Sequence, residues 1–436
     1  MNLRLLWCVA LAASCVPCQA AQAADNTTLK QVIIFGRHGA RTPVAPNAVL
    51  DSFSVLPFPD FSLAGQSVIT PNGKTNEKLL GNYFRLWLTQ EKLLTGNDHA
   101  NAPLVSVRAY NAPLMVDTAQ AFAEGLLPDS PVAVSTVPNP DPLFDPIDAG
   151  IATLDAKMAV AAVNGRLGGD PQALAAAYAP EFALMRSVLF DYPAGITPAP
   201  PTPPGKTDIT ALPITVTPGN GTAPVGLGGL AAIYTATDPF LMEYVDGMPT
   251  SDVGWGHLDA AGISQILRVH DKLVDLEYRT PYLAALQSSN LASHIVRSMV
   301  RSATGNAMGG TVGNPADKVV VLVATEANVA GLAGLLHLDW LVDGYQPDVP
   351  GLGGALVFEL RQSQTTGEFI VRATYVTQSM DQLRNLTPLT LAAPPANVPL
   401  FIPGCSIANA TFDCPLAAFV RYAAQQIDSR YIDLSN

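Results

Sequence analysis

The stretch Gln31-Val32-Ile33-Ile34-Phe35-Gly36-Arg37-His38-Gly39-Ala40-Arg41-Thr42-Pro43 decides how this chain is read. Its first half, residues 31–35, is an apolar, largely β-branched run closed by Gly36, the pattern of a buried strand. Its second half turns abruptly basic, with two arginines around one histidine directly after the strand. In open α/β sheets, ligands bind beyond the carboxyl ends of strands. Guanidinium groups match phosphoryl oxygens in shape and charge. A neutral imidazole between them can attack phosphorus in line while the arginines stabilise the equatorial oxygens. Gly39 is expected to let the backbone turn tightly beside the anion. A lone Arg-His pair would read as an exposed basic turn, but this cluster at a strand end reads as chemistry.

Outward from this motif, strands and helices alternate. Residues 75–94 carry apolar side chains at helical spacing, 104–109 read as a strand and 114–126 as a helix. From about residue 141 the character changes. Asp170-Pro171 supplies an N-cap and first-turn proline for a helix running to about residue 190. Residues 193–229 are rich in Pro, Gly and Thr and are predicted to be a loop. Helical patterns return at 259–277 and 281–299. Residues 318–324 form a second buried apolar strand leading into a helix at 328–336, and 356–360 with 369–376 read as a late strand pair. The predicted organisation is an α/β domain of residues 24–140 and 291–436, interrupted by a mainly helical insert, 141–290, containing the loop 193–229.

Composition narrows the function classes. The chain has 436 residues, 48% hydrophobic and only 14% charged, with 24 Lys plus Arg against 36 Asp plus Glu. This acidic balance, with no basic stripe, excludes a nucleic-acid partner. An anionic substrate needs a local cationic pocket working against the global field. Residues 1–23 read as a secretory signal: Arg4, a short apolar stretch from Leu5 to Val16, and Ala21-Gln22-Ala23 as the cleavage pattern. That stretch falls short of the ~20 residues needed to span a bilayer, and no later stretch is both long and apolar enough. A periplasmic or secreted location without a membrane span is therefore expected. Cys8, Cys15 and Cys18 would leave with the signal. Cys405 and Cys414 remain, expected to pair in an oxidising compartment. The remaining histidines lack metal-ligand spacing, so neither metal nor other cofactor is expected.

Arg37-His38-Gly39-Ala40-Arg41-Thr42-Pro43 resembles the R-H-G-x-R-x-P signature of the histidine acid phosphatases. Further segments resemble the bacterial periplasmic phytases and glucose-1-phosphatases of that family, among them 141–146, Gly247-Met248-Pro249, Arg279-Thr280-Pro281, Leu338-Asp339-Trp340 and the tail from Gly404-Cys405 to Cys414. The resemblance covers nearly the whole chain after the signal. It implies a central mixed sheet flanked by helices, as in phosphoglycerate mutase, with a helical insert. It also implies hydrolysis of a small phosphomonoester through a phosphohistidine on His38, held by Arg37 and Arg41. A monomer is expected.

The second half of the family's site is altered. Where the family places a third phosphate-binding Arg, ahead of Ala121-Phe122-Ala123-Glu124-Gly125-Leu126, this chain has Leu114. Arg108, on the preceding strand, is a candidate replacement from another direction. The family's late His-Asp motif reads Thr325-Glu326 here. The resemblance assigns leaving-group protonation to Glu326 and leaves Thr325 as an uncharged phosphate donor, with Asn328 lining the site. A Lys that the phytase branch presents after the first motif is replaced by Val44-Ala45. Arg279 is a family-like basic residue with two readings, substrate contact or packing of the insert. Two readings of function follow: an acid phosphatase with a changed site, or a phosphatase-like protein that binds a small anion with weak turnover or none. Removing one preorganised oxyanion donor costs about 10²–10³ in rate, and such losses do not simply multiply.

Overall fold

The computed structural model describes residues 25–221 and 223–435. The reading of 1–23 as a secretory signal concerns residues outside that range.

Eight strands build one mixed sheet: β1 (Thr27–Arg37), β2 (Val105–Ala109), β3 (Val134–Ser135), β6 (Val319–Ala324), β7 (Ala355–Ser363), β8 (Phe369–Thr377), β9 (Ala396–Pro399) and β10 (Cys414–Pro415). The order is β10-β8-β7-β1-β6-β2-β3, with β9 also on β8. β1, β6, β2 and β3 run parallel, while β7 to β10 add antiparallel pairs. β6 reads Val-Val-Val-Leu-Val-Ala and is buried throughout, as a strand covered on both faces must be.

Alternation along the strands sends successive side chains into two different cores. Ile33, Phe35, Val320, Leu322 and Phe358 pack under the helices Pro281–Thr304 and Glu326–Leu335. Val32, Ile34, Val319, Val321 and Val357 pack under the helices Pro71–Gln90 and Pro113–Leu126. Gly81 and Gly125 let those last two helices touch, since a Cβ at either would lie within 2.2 Å of the opposite backbone. A third core lies among the helices between β3 and β6, around Met185, Phe240 and Ile263.

Several boundaries differ from the sequence expectation. The helix expected from residue 75 starts at Pro71, because Thr70 caps it by accepting from the Gly73 N–H at 3.0 Å. The helix expected from 170 to 190 is two, Ala173–Ala177 and Ala179–Leu189, with Pro180 in the first turn of the second. The 193–229 segment carries a hairpin, β4 (Thr215–Asn220) and β5 (Ala223–Gly228), with Val225 and Leu227 buried. Pro218, Gly219 and Pro224 hid it, since these residues normally argue against strand. A sixteen-residue helix, Leu230–Val245, was not anticipated at all. It is apolar on most sides and holds Pro239 within it, so neither helical periodicity nor propensity marks it.

Cys405 and Cys414 are joined by a disulfide, Cα atoms 5.2 Å apart, which ties the tail to β10 at the sheet edge. Among the described residues no helix is long and apolar enough to cross a membrane.

Candidate active site

The sheet register builds the site. Arg37, the last residue of β1, pairs with Ala324, the last residue of β6. The parallel strands therefore release His38 and Thr325-Glu326 side by side, and the His38 N–H donates to the Ala324 carbonyl at 3.1 Å. Glu326 is the first residue of the helix Glu326–Leu335.

His38 is buried, and its Nδ1 lies 3.0 Å from the Gly39 carbonyl oxygen. A carbonyl only accepts, so Nδ1 carries the proton and Nε2 keeps its lone pair. Burial, with Arg37 and Arg41 adding to it, holds the imidazole well below its ordinary range. That shift favours the neutral ring, the form a nucleophile requires. Gly39 serves a different need from the one expected. Its φ is not positive, but a Cβ there would sit 2.7 Å from Glu77 Oε1. Space against the buried Glu77 carboxyl, rather than a tight turn, selects glycine.

Both arginines are buried, and each is already bonded to a carboxylate. Arg37 Nη1 donates to Glu326 Oε1 at 2.8 Å and to the Pro350 carbonyl at 2.6 Å. Arg41 makes two 2.8 Å bonds to Asp238, from Nη1 to Oδ2 and from Nη2 to Oδ1. Burial raises Glu326 above the usual carboxylate range, with Arg37 pulling the other way. Burial also pushes on Asp238, but there Arg41 prevails and holds it below that range. Of the two acids, Glu326 is the one whose surroundings favour the protonated form. The Tyr234 hydroxyl donates to Glu326 Oε2 at 3.3 Å, and its ring stacks on His270 at 4.1 Å.

The other residues singled out from sequence are placed as follows. Thr325 caps its helix: its hydroxyl donates to Asn328 Oδ1 at 2.7 Å and accepts from the Asn328 N–H at 3.3 Å. Asn328 Nδ2 donates to the Phe144 carbonyl at 2.8 Å, so that amide is committed too. Both residues line the cavity described below. Arg108 does not; its Nη2 donates to both carboxylate oxygens of buried Asp141, and its guanidinium lies over the Phe144 ring. Arg279 also lies outside the lining, bonded to Asp339 and the Leu338 carbonyl with its guanidinium over Trp340. Leu114 stands in the wall, and no guanidinium replaces it there among the described residues.

Asp238 and Tyr234 were missed from sequence because both sit on the unanticipated helix Leu230–Val245. The available signal was Asp238-Pro239, a carboxylate inside an apolar run, where a buried charge needs a partner.

A cavity of about 740 Å³ opens over His38, Arg41 and Glu326. Among the described residues no group of three or more His, Cys, Asp or Glu side chains could hold a metal ion.

A family model for the histidine phosphatase superfamily (branch 2) matches residues 28–180, which contain the whole motif around His38. Over those residues the chain is similar to that superfamily. It is 28% identical to the phytase AppA of Escherichia coli (strain K12) over 418 residues, 92% of each chain. It is 26% identical to a glucose-1-phosphatase of Providencia rettgeri over 391 residues, 88% of each. Its structure resembles the Hafnia alvei phytase solved in complex with tartrate, with a TM-score of 0.84 at 29% identity over 94% of this chain and all of that one. The mixed sheet and flanking helices stand as the resemblance implied.

Proposed function

We propose that this chain is an exported acid phosphatase that hydrolyses phosphomonoesters through a phosphohistidine on His38. The observation that carries the reading is the neutral His38 ring, Nε2 unprotonated, between two guanidinium groups at the strand end. His38 Nε2 attacks phosphorus, the P–O ester bond breaks, and Glu326 gives its proton to the leaving oxygen. Water then attacks the phosphohistidine, yields a proton to the Glu326 carboxylate, and the P–N bond breaks to release phosphate. Arg41, in the cavity lining, holds the phosphoryl oxygens, and Arg37, outside the lining, adds positive charge that helps offset the charge that develops. An acidic optimum follows, because Glu326 must start protonated. Its ionisation also matters electrostatically: with Glu326 and Asp238 both charged, the two arginines are balanced and the site has no net positive charge left for a phosphate dianion.

That balance, with Leu114 and Thr325 in place of cations, supports a second reading, a phosphatase-like protein that binds a small anion without turnover. The experiment is release of phosphate from 4-nitrophenyl phosphate at acidic pH, beside a His38→Ala control. Activity in the parent lost in the variant, with an acid-labile phosphoryl adduct on His38, supports the hydrolase. Equal rates in both proteins overturn it.

A further inference from the structure

Resting on the hydrolase reading, we infer from the cavity walls that the substrate is a singly phosphorylated compound whose alcohol part is apolar and ring-sized and bears no second anionic group. The floor of the cavity is the phosphoryl site, but its walls are not built for anions. Leu114 and Met115 open the helix Pro113–Leu126 on one side, and Leu273 stands on the helix Ala260–Tyr278. Between them, the rings of Tyr110, Phe144 and Tyr278 also face the space. Such surfaces hold a substrate by removing apolar area from water and by ring contacts.

The charged groups of the wall point the same way. Among the described lining residues the one cation is Arg41, already paired with Asp238, against the carboxylates of Asp117, Asp145, Asp148 and Glu326. Asp117 is compensated by Lys74 at 2.7 Å. Asp145 and Asp148 have no cationic partner among the described residues, and Asp145 is buried beside the Tyr110 phenol. Burial, reinforced by Asp148 and Asp141, pushes Asp145 up to about 6. A second phosphate on the substrate would meet Asp148 and the Asp145 carboxyl rather than a guanidinium: a charged carboxylate repels it, and a protonated one offers no cation to pair with it. A polyphosphorylated ring is therefore excluded by the wall even where the floor accepts one phosphate.

The direct test compares kcat/KM for phenyl phosphate and 1,4-phenylene bisphosphate, with inositol hexakisphosphate as a third substrate, all read as released phosphate at acidic pH. Phenyl phosphate is expected to be favoured by at least about 100-fold over both. The ratio should narrow by about tenfold in Asp148→Asn, and in Asp145→Asn the narrowing should grow as pH rises through about 6, where that carboxyl takes up its charge. Equal or better use of inositol hexakisphosphate overturns the inference and leaves the hydrolase reading intact. If no ester is cleaved, the hydrolase reading fails and the inference is read by calorimetry instead. Benzylphosphonate binding more tightly than inositol hexakissulphate then supports it, and the reverse order overturns it.

Discussion

Arg41 and Asp238, 197 positions apart in sequence, form a buried bidentate ion pair with both bonds at 2.8 Å. The pair locks the loop after β1 to the helix Leu230–Val245, so one side of the cavity over His38 depends on the chain between β3 and β6. That carboxylate accepts from both terminal nitrogens of the guanidinium.

Asp238→Asn should therefore have two opposed effects. Taking the charge from one partner of a buried pair costs about 3–5 kcal/mol when nothing compensates, and the remaining amide bond places this variant near the low end. Inorganic phosphate should restore more stability in the variant than in the parent, since it supplies the missing anion. Urea unfolding with and without phosphate measures both effects. An identical phosphate increment in the two proteins would mean that Arg41 does not reach the bound anion.

Glu326→Gln keeps an amide near Arg37 but cannot protonate a leaving group. Loss of a general acid typically costs about 10²–10⁴ in rate. The loss should be large for an alkyl phosphate and small for 4-nitrophenyl phosphate, whose leaving group needs no proton. The basic limb of the pH–kcat profile should also flatten, because the parent loses activity as Glu326 ionises. A uniform loss across leaving groups, with an unchanged profile, would assign Glu326 to positioning Arg37 instead.

Thr325 stands where the sequence resemblance expects a phosphate-binding His, but its hydroxyl is spent on the helix cap. Thr325→Ala should cost about 0.5–2 kcal/mol of stability, while Thr325→Ser should cost little. Neither should change the inhibition constant for inorganic phosphate by more than about twofold. A large rise in that constant for Thr325→Ala alone would return the hydroxyl to the phosphate.

Glu77 links the site to pH through stability. Burial raises its carboxyl from the ordinary 4.5 to about 8. Between those values the folded state binds the proton and the unfolded state does not, so the Glu77 contribution falls as pH rises through that window and levels off above it. The full span is worth about 4–5 kcal/mol at most. Glu77→Gln removes the titration: relative to the parent it should gain stability between pH 5 and pH 9, by denaturant unfolding at each pH. A constant difference across that range would show that Glu77 is ionised in the folded protein throughout.

The sequence by itself determined the local part of this protein. Residues 31–43 announce a buried strand followed at once by an Arg-His-Arg cluster, because strand burial and motif chemistry are both written in neighbouring residues. The apolar runs at β6, β7 and β8 were legible for the same reason, and so was the tail cysteine pair. Boundaries slipped where a proline had to be judged: Pro71 starts a helix, Pro180 accompanies a break, and Pro239 sits within one. Each outcome depends on which N–H groups lack partners after packing.

Only the tertiary structure decided the charge of the site and the walls of its cavity. Asp238 and Tyr234 come from a helix with no periodic signature, and their roles arise from pairing with Arg41 and Glu326 across long stretches of chain. Arg108 and Arg279 looked available as isolated cations, yet buried or adjacent carboxylates had claimed both. A residue's type fixes what it can do, but desolvation and the nearest opposite charge fix what it is free to do, and those are properties of the folded neighbourhood.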